Sequence, residues 1–375
     1  MNVLLTARWP AGGIRTYFRY VYGRDDFSDI RLTLVAPDFD LSEFLANKLP
    51  EGRIRFIPCD NTNQALFRAA REQLRQERWD LIHSHGFSAG ILTEWARLGY
   101  RNIPHLMTAH DVFLESQFAG WKGRLKKLMS GISFARMDAI HTVTEDAGRN
   151  FSEFFPRIPQ DRIVPILHGV DTGYFASGTP WDVRSKLGNV LPSNPVVGFF
   201  GRFMAQKGFR VLVRAVELMN RERPEDQKVH VLTWGWGGFV REDYAWIHEQ
   251  GLERYFHQMP HTDDMPSAIA SMDAVAMPSR WEACGLLAME VLAAGVPIVG
   301  TNCIGLREVL DGTPATQVPV GDADALAAAL DQALTPEAKA RFRDWQAEAV
   351  RRFDVTRPAR ELAELYRRMT GRSPA

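Results

Sequence analysis

Ser279-Arg-Trp-Glu-Ala-Cys-Gly-Leu-Leu-Ala-Met-Glu-Val-Leu-Ala-Ala-Gly-Val-Pro-Ile-Val-Gly-Thr301 sets two acids, Glu282 and Glu290, around a glycine, Gly285, that opens an apolar, helix-forming run. Glu282 precedes the glycine and belongs to a loop. Glu290 falls about one turn inside the helix, on the same face as Leu286. A helix N-terminus presents unpaired N–H groups and the positive end of a dipole, which suits a phosphate. The loop acid is then placed for a sugar hydroxyl and the helix acid for a ribose diol. Gly295-Val-Pro-Ile-Val-Gly-Thr301 reads as helix stop, turn and buried strand, so the stretch is one α/β crossover unit. The plainer alternative is an amphipathic helix carrying two solvated acids.

Working outward, short apolar runs alternate with longer amphipathic stretches, the pattern of a parallel sheet covered by helices. Strands are predicted at Val3–Thr6, Arg31–Ala36, Ile54–Pro58, Leu81–His83, His105–Ala109, Ala139–Val143 and Ile163–Ile166. Helical segments intervene at Ile14–Tyr22, Asn63–Gln76 and Gly90–Leu98. Composition shifts to Gly, Asp, Ser, Thr and Pro near His168–Thr179, as in a linker. A second series follows: Val196–Phe200, Val229–Thr233, Tyr255–Gln258, Ala274–Met277 and Ile298–Gly300, with helices at Gly208–Asn220, Pro266–Ser271 and Leu286–Ala294. The tail Pro336–Arg372 reads as helical. The chain therefore divides at 1–170, 171–352 and a terminal helix, 353–375.

A chain of 375 residues exceeds one comfortable core, which agrees with two domains. Forty-five basic and 45 acidic residues cancel, so a nucleic-acid partner has no support. Cys59, Cys284 and Cys303 are too few and too scattered for a disulfide framework or a metal cluster, as expected of a cytoplasmic protein. No signal peptide is visible at Met-Asn-Val-Leu-Leu-Thr, and no apolar run is long enough to span a bilayer.

Four further motifs can carry chemistry. Gly198-Phe-Phe-Gly-Arg-Phe-Met-Ala-Gln-Lys-Gly208 follows a buried strand and sets Arg202 and Lys207 on one loop, where two cations can face one phosphate group. Trp9-Pro-Ala-Gly-Gly-Ile-Arg15 puts paired glycines at a strand-to-helix turn, where backbone can approach a ligand closely. It lacks the G-x-G-x-x-G fingerprint, so NAD is not expected. Thr108-Ala-His-Asp111 places His110 at a strand's C-terminal end, where open α/β sheets bind ligands. His83-Ser-His85 ends another strand. A zinc site there is set aside because the two-residue spacing is taken to turn the rings to opposite faces. No Asp-x-Asp signature for a divalent metal is present, and no cofactor is expected.

The Glu282–Glu290 pair resembles the donor-site signature of retaining GT-B glycosyltransferases, glycosyltransferase family 4. The Gly-Arg, four residues, Lys-Gly pattern, the Gly-Gly loop and His168-Gly-Val-Asp171 are similar to further elements of that family, although His168 stands where the family has Asn. The resemblance implies α/β architecture with two Rossmann-like domains facing each other across a cleft. It implies a retaining, metal-independent hexosyltransferase that moves a sugar from a UDP- or GDP-sugar to an acceptor hydroxyl of a bacterial surface glycan or glycolipid. Arg202, Lys207, Cys284, Gly285, Leu286 and Glu290 would bind the donor, Gly13 would approach its phosphates, and His110 and Glu282 would serve catalysis. Trp234 and Trp236 are expected at the base. Rivals with the same motifs are a sugar-nucleotide epimerase or phosphorylase and a non-catalytic nucleotide-sugar-binding protein. Finally, Trp121-Lys-Gly-Arg-Leu-Lys-Lys-Leu-Met129 is a basic amphipathic patch. It reads first as a solvated helix face and second as a peripheral contact with the inner membrane surface, residues 122–127 carrying the charge.

Overall fold

Interior strands of a parallel sheet are covered on both faces, so they must be apolar throughout. In the computed structural model, which describes residues 1–372, the apolar runs form two all-parallel sheets. The first contains β1 (Asn2–Ala7), β2 (Arg31–Pro37), β3 (Ile54–Cys59), β4 (Leu81–His85), β5 (His105–Ala109), β6 (Ala139–Thr142) and β7 (Ile163–Pro165), in the order β3-β2-β1-β4-β5-β6-β7. The second contains β8 (Val196–Phe200), β9 (His230–Trp234), β10 (Phe256–Gln258), β11 (Ala274–Met277), β12 (Ile298–Thr301) and β13 (Thr316–Val318), in the order β10-β9-β8-β11-β12-β13. The order reverses beside β1 in the first sheet and beside β8 in the second. Such switch points leave a crevice at the carboxyl ends of the strands.

The chain separates into two compact units: Met1–Gly169 together with the chain from Val355 onward, and Val170–Asp354. In the second unit Val197 and Phe199 of β8 pack with Phe209, Leu212 and Val216 of helix Phe209–Asn220 and with Leu326 and Leu330 of helix Ala323–Ala333. In the first unit one face of the sheet is closed by a phenylalanine cluster, Phe113, Phe118, Phe134, Phe151 and Phe154. Its other strands pack Leu4, Val35 and Ile82 against Leu66 and Leu74 of helix Asn63–Gln76.

Three local outcomes differ from the sequence reading. β13 has two of its three residues exposed, so it offered no apolar run. The helical tail is broken: Pro336–Phe353 ends at an extended Asp354, and Thr356–Met369 starts afresh. The second helix lies in the first unit, where Tyr366 packs edge-on to Phe27 and Arg367 pairs with Asp29. Residues 373–375 of the expected terminal segment lie outside the described residues. The segment read as one helix, Ile14–Tyr22, is an α-turn over Gly13–Tyr17 followed by a wider π-turn over Phe18–Tyr22. A π-turn rotates the residues that follow it around the axis, and here Tyr22 is turned into the end of β4.

Candidate active site

In the second unit, two loops at the carboxyl ends of β8 and β11 are laced together. Arg280 N–H donates to the Gln206 carbonyl (2.7 Å) and the Gln206 amide donates to the Trp281 carbonyl (2.8 Å). The lacing brings Lys207 Nζ to 2.6 Å from Glu282 Oε1. Glu282 is buried to 9 % side-chain exposure, and its Oε1 also accepts from Ser279 Oγ (2.7 Å). Thr301 Oγ1, at the end of β12, in turn donates to the Ser279 carbonyl. The carboxylate is thus fixed by a cation and a hydroxyl that are themselves fixed, so its direction is set before any ligand arrives. Arg202, on the same loop as Lys207, is exposed and has no carboxylate partner among the described residues. The loop therefore carries one cation paired with a carboxylate and, five positions earlier, one with no carboxylate partner among the described residues, and it is built to turn sharply.

Gly208 makes that turn, and Gly235 on the neighbouring β9 loop lets backbone close on it. Gly208 has φ +67°, and a Cβ there would sit 1.9 Å from the Pro278 carbonyl oxygen. A Cβ on Gly235 would sit 1.8 Å from the Gly201 carbonyl oxygen. These two close approaches clamp the Lys207 loop between the β11 loop and the β9 loop. Gly235→Ala is expected to lower the melting temperature by about 5–10 °C, since backbone on both sides must move. A melting curve superimposable on wild type would show that the clamp yields at no cost.

Helix Leu286–Ala293 begins at Gly285 without a side-chain cap. The Leu286 N–H folds back on the Cys284 carbonyl at 2.8 Å, so of the two amides singled out at this turn, that of Leu286 is already engaged within it. Leu286 and Glu290 share the half-exposed face, with Ala288, Met289 and Val291 turned inward. Cys284 is half-buried. Trp234 departs from expectation: it is buried and stacks on Phe200, ring centroids 4.9 Å apart, so it belongs to the core and only Trp236, 71 % exposed, faces outward. Nothing in the sequence singled out Ser279 or Thr301; the signal available was their position, at the two ends of the crossover that carries Glu282.

In the first unit the carboxyl ends of β4, β5 and β6 gather five imidazoles and three phenols. His83 and His85 share a face, with ring centroids 4.3 Å apart, because residues two apart on a strand point the same way. The expectation of opposite faces was an error of period. Tyr22 OH lies 2.7 Å from His85 Nε2, 3.0 Å from His83 Nδ1 and 3.1 Å from Tyr366 OH. His83 Nε2 meets Thr108 Oγ1 at 2.6 Å, and His85 Nδ1 meets His110 Nε2 at 3.0 Å. Tyr17 packs between His110 and His168, 5.0 Å from each ring centre. With Tyr22 donating to His85 Nε2, His85 donates from Nδ1 to His110, and His110 keeps its proton on Nδ1. His110 is the half-exposed end of this chain. Among the described residues no group of three or more His, Cys, Asp or Glu is placed to hold a metal ion.

Burial holds every one of these imidazoles neutral. It pulls His83, His85 and His110 well below the ordinary value, with neighbouring imidazoles adding to the effect, and takes His141 to about 4 and His168 to about 3. Burial raises Tyr17, Tyr22 and Tyr366 in the opposite sense. His168 accepts from the Gly169 N–H at 2.6 Å, while its Nε2 is buried with no hydrogen-bond partner among the described residues. Gly12 and Gly13 stand at the end of β1 with open space where a side chain would be, so the protein leaves the ground in front of that turn unfilled.

Comparison with known proteins places both units. Residues 11–174 match the family described as Glycosyltransferase Family 4, and residues 194–336 match Glycosyl transferases group 1. The D-inositol 3-phosphate glycosyltransferase of Corynebacterium kroppenstedtii is 29% identical over 315 residues, 78% of this chain and 68% of the relative. That of Xylanimonas cellulosilytica is 29% identical over 322 residues, 81% of this chain and 76% of the relative. Among solved structures, Anabaena Alr3699/HepE in complex with UDP-glucose superposes with a TM-score of 0.80 at 21% identity, covering 97% of this chain and 99% of that one. Sucrose-phosphate synthase from Thermosynechococcus elongatus superposes with a TM-score of 0.79 at 19% identity, covering 99% of each.

Proposed function

The chain belongs to glycosyltransferase family 4 and has the GT-B fold, and from that premise we propose that it is a retaining hexosyltransferase that draws on a nucleoside diphosphate sugar without a divalent metal. The observation that carries this reading is the Lys207–Glu282 pair, fixed at 2.6 Å, on the loop that also carries the exposed Arg202. Breaking the bond between the anomeric carbon and the diphosphate oxygen leaves negative charge on the diphosphate. Cations already in place stabilise that charge without reorganising, the largest effect most enzymes use. Arg202 and Lys207 are assigned to the diphosphate, with Gly13 and the Gly285 turn approaching the phosphates through backbone. Lys207 then meets phosphate as well as Glu282, and the carboxylate that holds it is assigned to a hydroxyl of the donor sugar.

Glu290, on the half-exposed face of its helix, is assigned to the ribose, with Cys284 and Leu286 at the same turn. His110 is assigned to a sugar hydroxyl. As a neutral imidazole keeping its proton on Nδ1, it donates a hydrogen bond and supplies no charge. In the proposed substitution the acceptor oxygen bonds to the anomeric carbon on the face the diphosphate leaves. The acceptor proton passes to the departing diphosphate oxygen, so no protein base is required. We assign the acceptor to a glycan or glycolipid hydroxyl in bacterial surface-glycan synthesis. The names of the relatives favour a second acceptor, a small phosphorylated polyol. Offering both with labelled donor and weighing the product separates them; an epimerised nucleotide or a sugar phosphate in place of a glycoside would refute transfer.

Binding to the folded state raises the melting temperature by mass action. A panel of UDP-, GDP-, ADP- and dTDP-sugars should give one clear shift, of about 5–10 °C at a hundredfold excess over Kd, unchanged by a chelator. UDP-glucose is the first to test, since Alr3699/HepE is solved with it. Lys207→Ala should weaken binding of the free nucleoside diphosphate about ten- to a hundredfold, the worth of one charge-assisted contact. Undiminished affinity in that variant removes Lys207 from the phosphates.

A further inference from the structure

Helix Gly120–Phe134 is inverted for a helix on a protein surface. Such helices turn their large apolar residues inward. Here the buried side is Gly123, Ser130 and Ser133 with a single large residue, Phe134. The large apolar side chains are outside: Trp121 is 67% exposed, Leu125 52%, Leu128 57%, Met129 44% and Ile132 43%. At 3.6 residues per turn these five positions fall within an arc roughly 100° wide. Lys122 and Lys126 lie along one edge of the arc, and Arg124 and Lys127 along the other. The helix has no acidic residue. None of its four cations meets a carboxylate among the described residues; Lys122 lies over the Trp121 ring at 5.6 Å and Lys127 over Phe154 at 4.8 Å.

Packing within the unit does not account for the exposed stripe. At its start the helix closes tightly on the turn before it, where a Cβ on Gly123 would fall 2.3 Å from the Phe118 carbonyl carbon. On its inner side Ser133 Oγ accepts from the Trp95 indole N–H at 3.1 Å and Phe134 joins the phenylalanine cluster, contacts that do not involve Trp121, Leu125 or Leu128. An apolar stripe of this size on a folded surface marks a partner.

We propose that this face docks on an anionic phospholipid surface, with Trp121, Leu125, Leu128, Met129 and Ile132 in the boundary between headgroups and acyl chains and the four cations among the headgroups. Aromatic and aliphatic residues flanked by Lys and Arg are the composition that such a surface selects. A second copy of this chain fits worse. A two-fold contact would lay the stripe on itself and bring four cations against four, with no acid on the helix to answer them. The proposal is independent of the enzymatic reading. In the first unit, this helix starts on the segment that leaves β5 through His110, so docking would hold that edge of the sheet near the lipid surface.

The test is co-sedimentation of the whole protein with vesicles of phosphatidylcholine alone and of phosphatidylcholine with about one third phosphatidylglycerol. Binding is expected to the anionic vesicles only, and to be largely lost at about 0.5 M NaCl. Replacing Lys122 and Lys126 with alanine should lower the partition coefficient by roughly fivefold for each cation removed. The double change Leu125→Gln, Leu128→Gln should lower it by at least about tenfold. All four positions are exposed, so melting temperatures should match wild type and serve as the control for folding. No binding to anionic vesicles overturns the proposal, as does equal binding to neutral ones, or binding that both variants retain. Self-association abolished by the two glutamines would also overturn it, since a second copy would then be the occupant.

Discussion

Glu282→Ala is expected to leave a folded protein whose sugar transfer is slower by about 10²–10³, the range lost when one preorganised polar contact to a reacting centre is removed. The carboxylate lies in the loop after β11, outside the sheet, and among the described residues it is bonded to Lys207 and Ser279. Its removal strands the Ser279 hydroxyl and frees Lys207, which at 23% side-chain exposure can reach solvent. The cost to stability is then on the order of 1 kcal/mol. Glu282→Gln separates the two things the carboxylate does. It keeps an acceptor for Ser279 and a hydrogen-bonding group for a sugar, and discards the ion pair. Recovery of most of the activity in the glutamine variant would assign Glu282 to hydrogen bonding; equal loss would assign it to charge. Initial rates alongside a urea titration decide, and wild-type turnover by the alanine variant would take Glu282 out of the mechanism.

The second large effect is on stability in mild acid. An unfolded histidine titrates near 6.5, whereas His83, His85, His110, His141 and His168 are all depressed in the folded first unit. Below pH 6.5 the unfolded chain therefore takes up protons that the folded chain refuses, and stability falls. Above 6.5 both states are neutral and nothing is lost. Each histidine removes about 1.4 kcal/mol per pH unit until its own folded value is reached, about 4 for His141 and about 3 for His168. Five acting together remove several kcal/mol between pH 6.5 and 5.5, an amount comparable with the whole stability of a domain. The urea midpoint should thus be flat from pH 8 to 7 and drop steeply below 6.5. His141→Asn, whose amide nitrogen stands where Nδ1 donates to the Val164 carbonyl and which cannot ionise, should soften the drop. A midpoint unchanged between pH 8 and 5 would show that the cluster opens to water at no cost.

How much of this was legible depends on how far apart the partners lie. The interior strands were plain because both faces are buried: every residue of β8 and β9 is buried, and β8 is apolar throughout. β13, at a sheet edge and two-thirds exposed, gave no such signal. The phosphate loop and the acidic loop were each readable, but their contact was not, since Lys207 and Glu282 are 75 positions apart. The phenols of the histidine cluster were invisible for a stronger reason. Tyr22 and Tyr366 are 344 positions apart, and Tyr22 reaches its place only through a π-turn that no periodicity announces. Trp234 was misplaced because β9 spans His230–Trp234 and not Val229–Thr233, which takes the indole into the buried strand and out of the loop after it. The basic patch on Gly120–Phe134 was found by its charge, while its more telling property, large residues outward and small ones inward, depends on knowing which side the rest of the unit occupies.

The return of helix Thr356–Met369 to the first unit also orders the protein's birth. Synthesis runs from the N-terminus and domains tend to fold as they emerge. The second unit, Val170–Asp354, is unbroken in the chain and has all its own strands as soon as it clears the ribosome. The first unit begins earlier yet waits longer. Until Tyr366 arrives, the buried nitrogen of His83 and the hydroxyl of Tyr22 lack the partner that closes their network. The half made first is thus completed last.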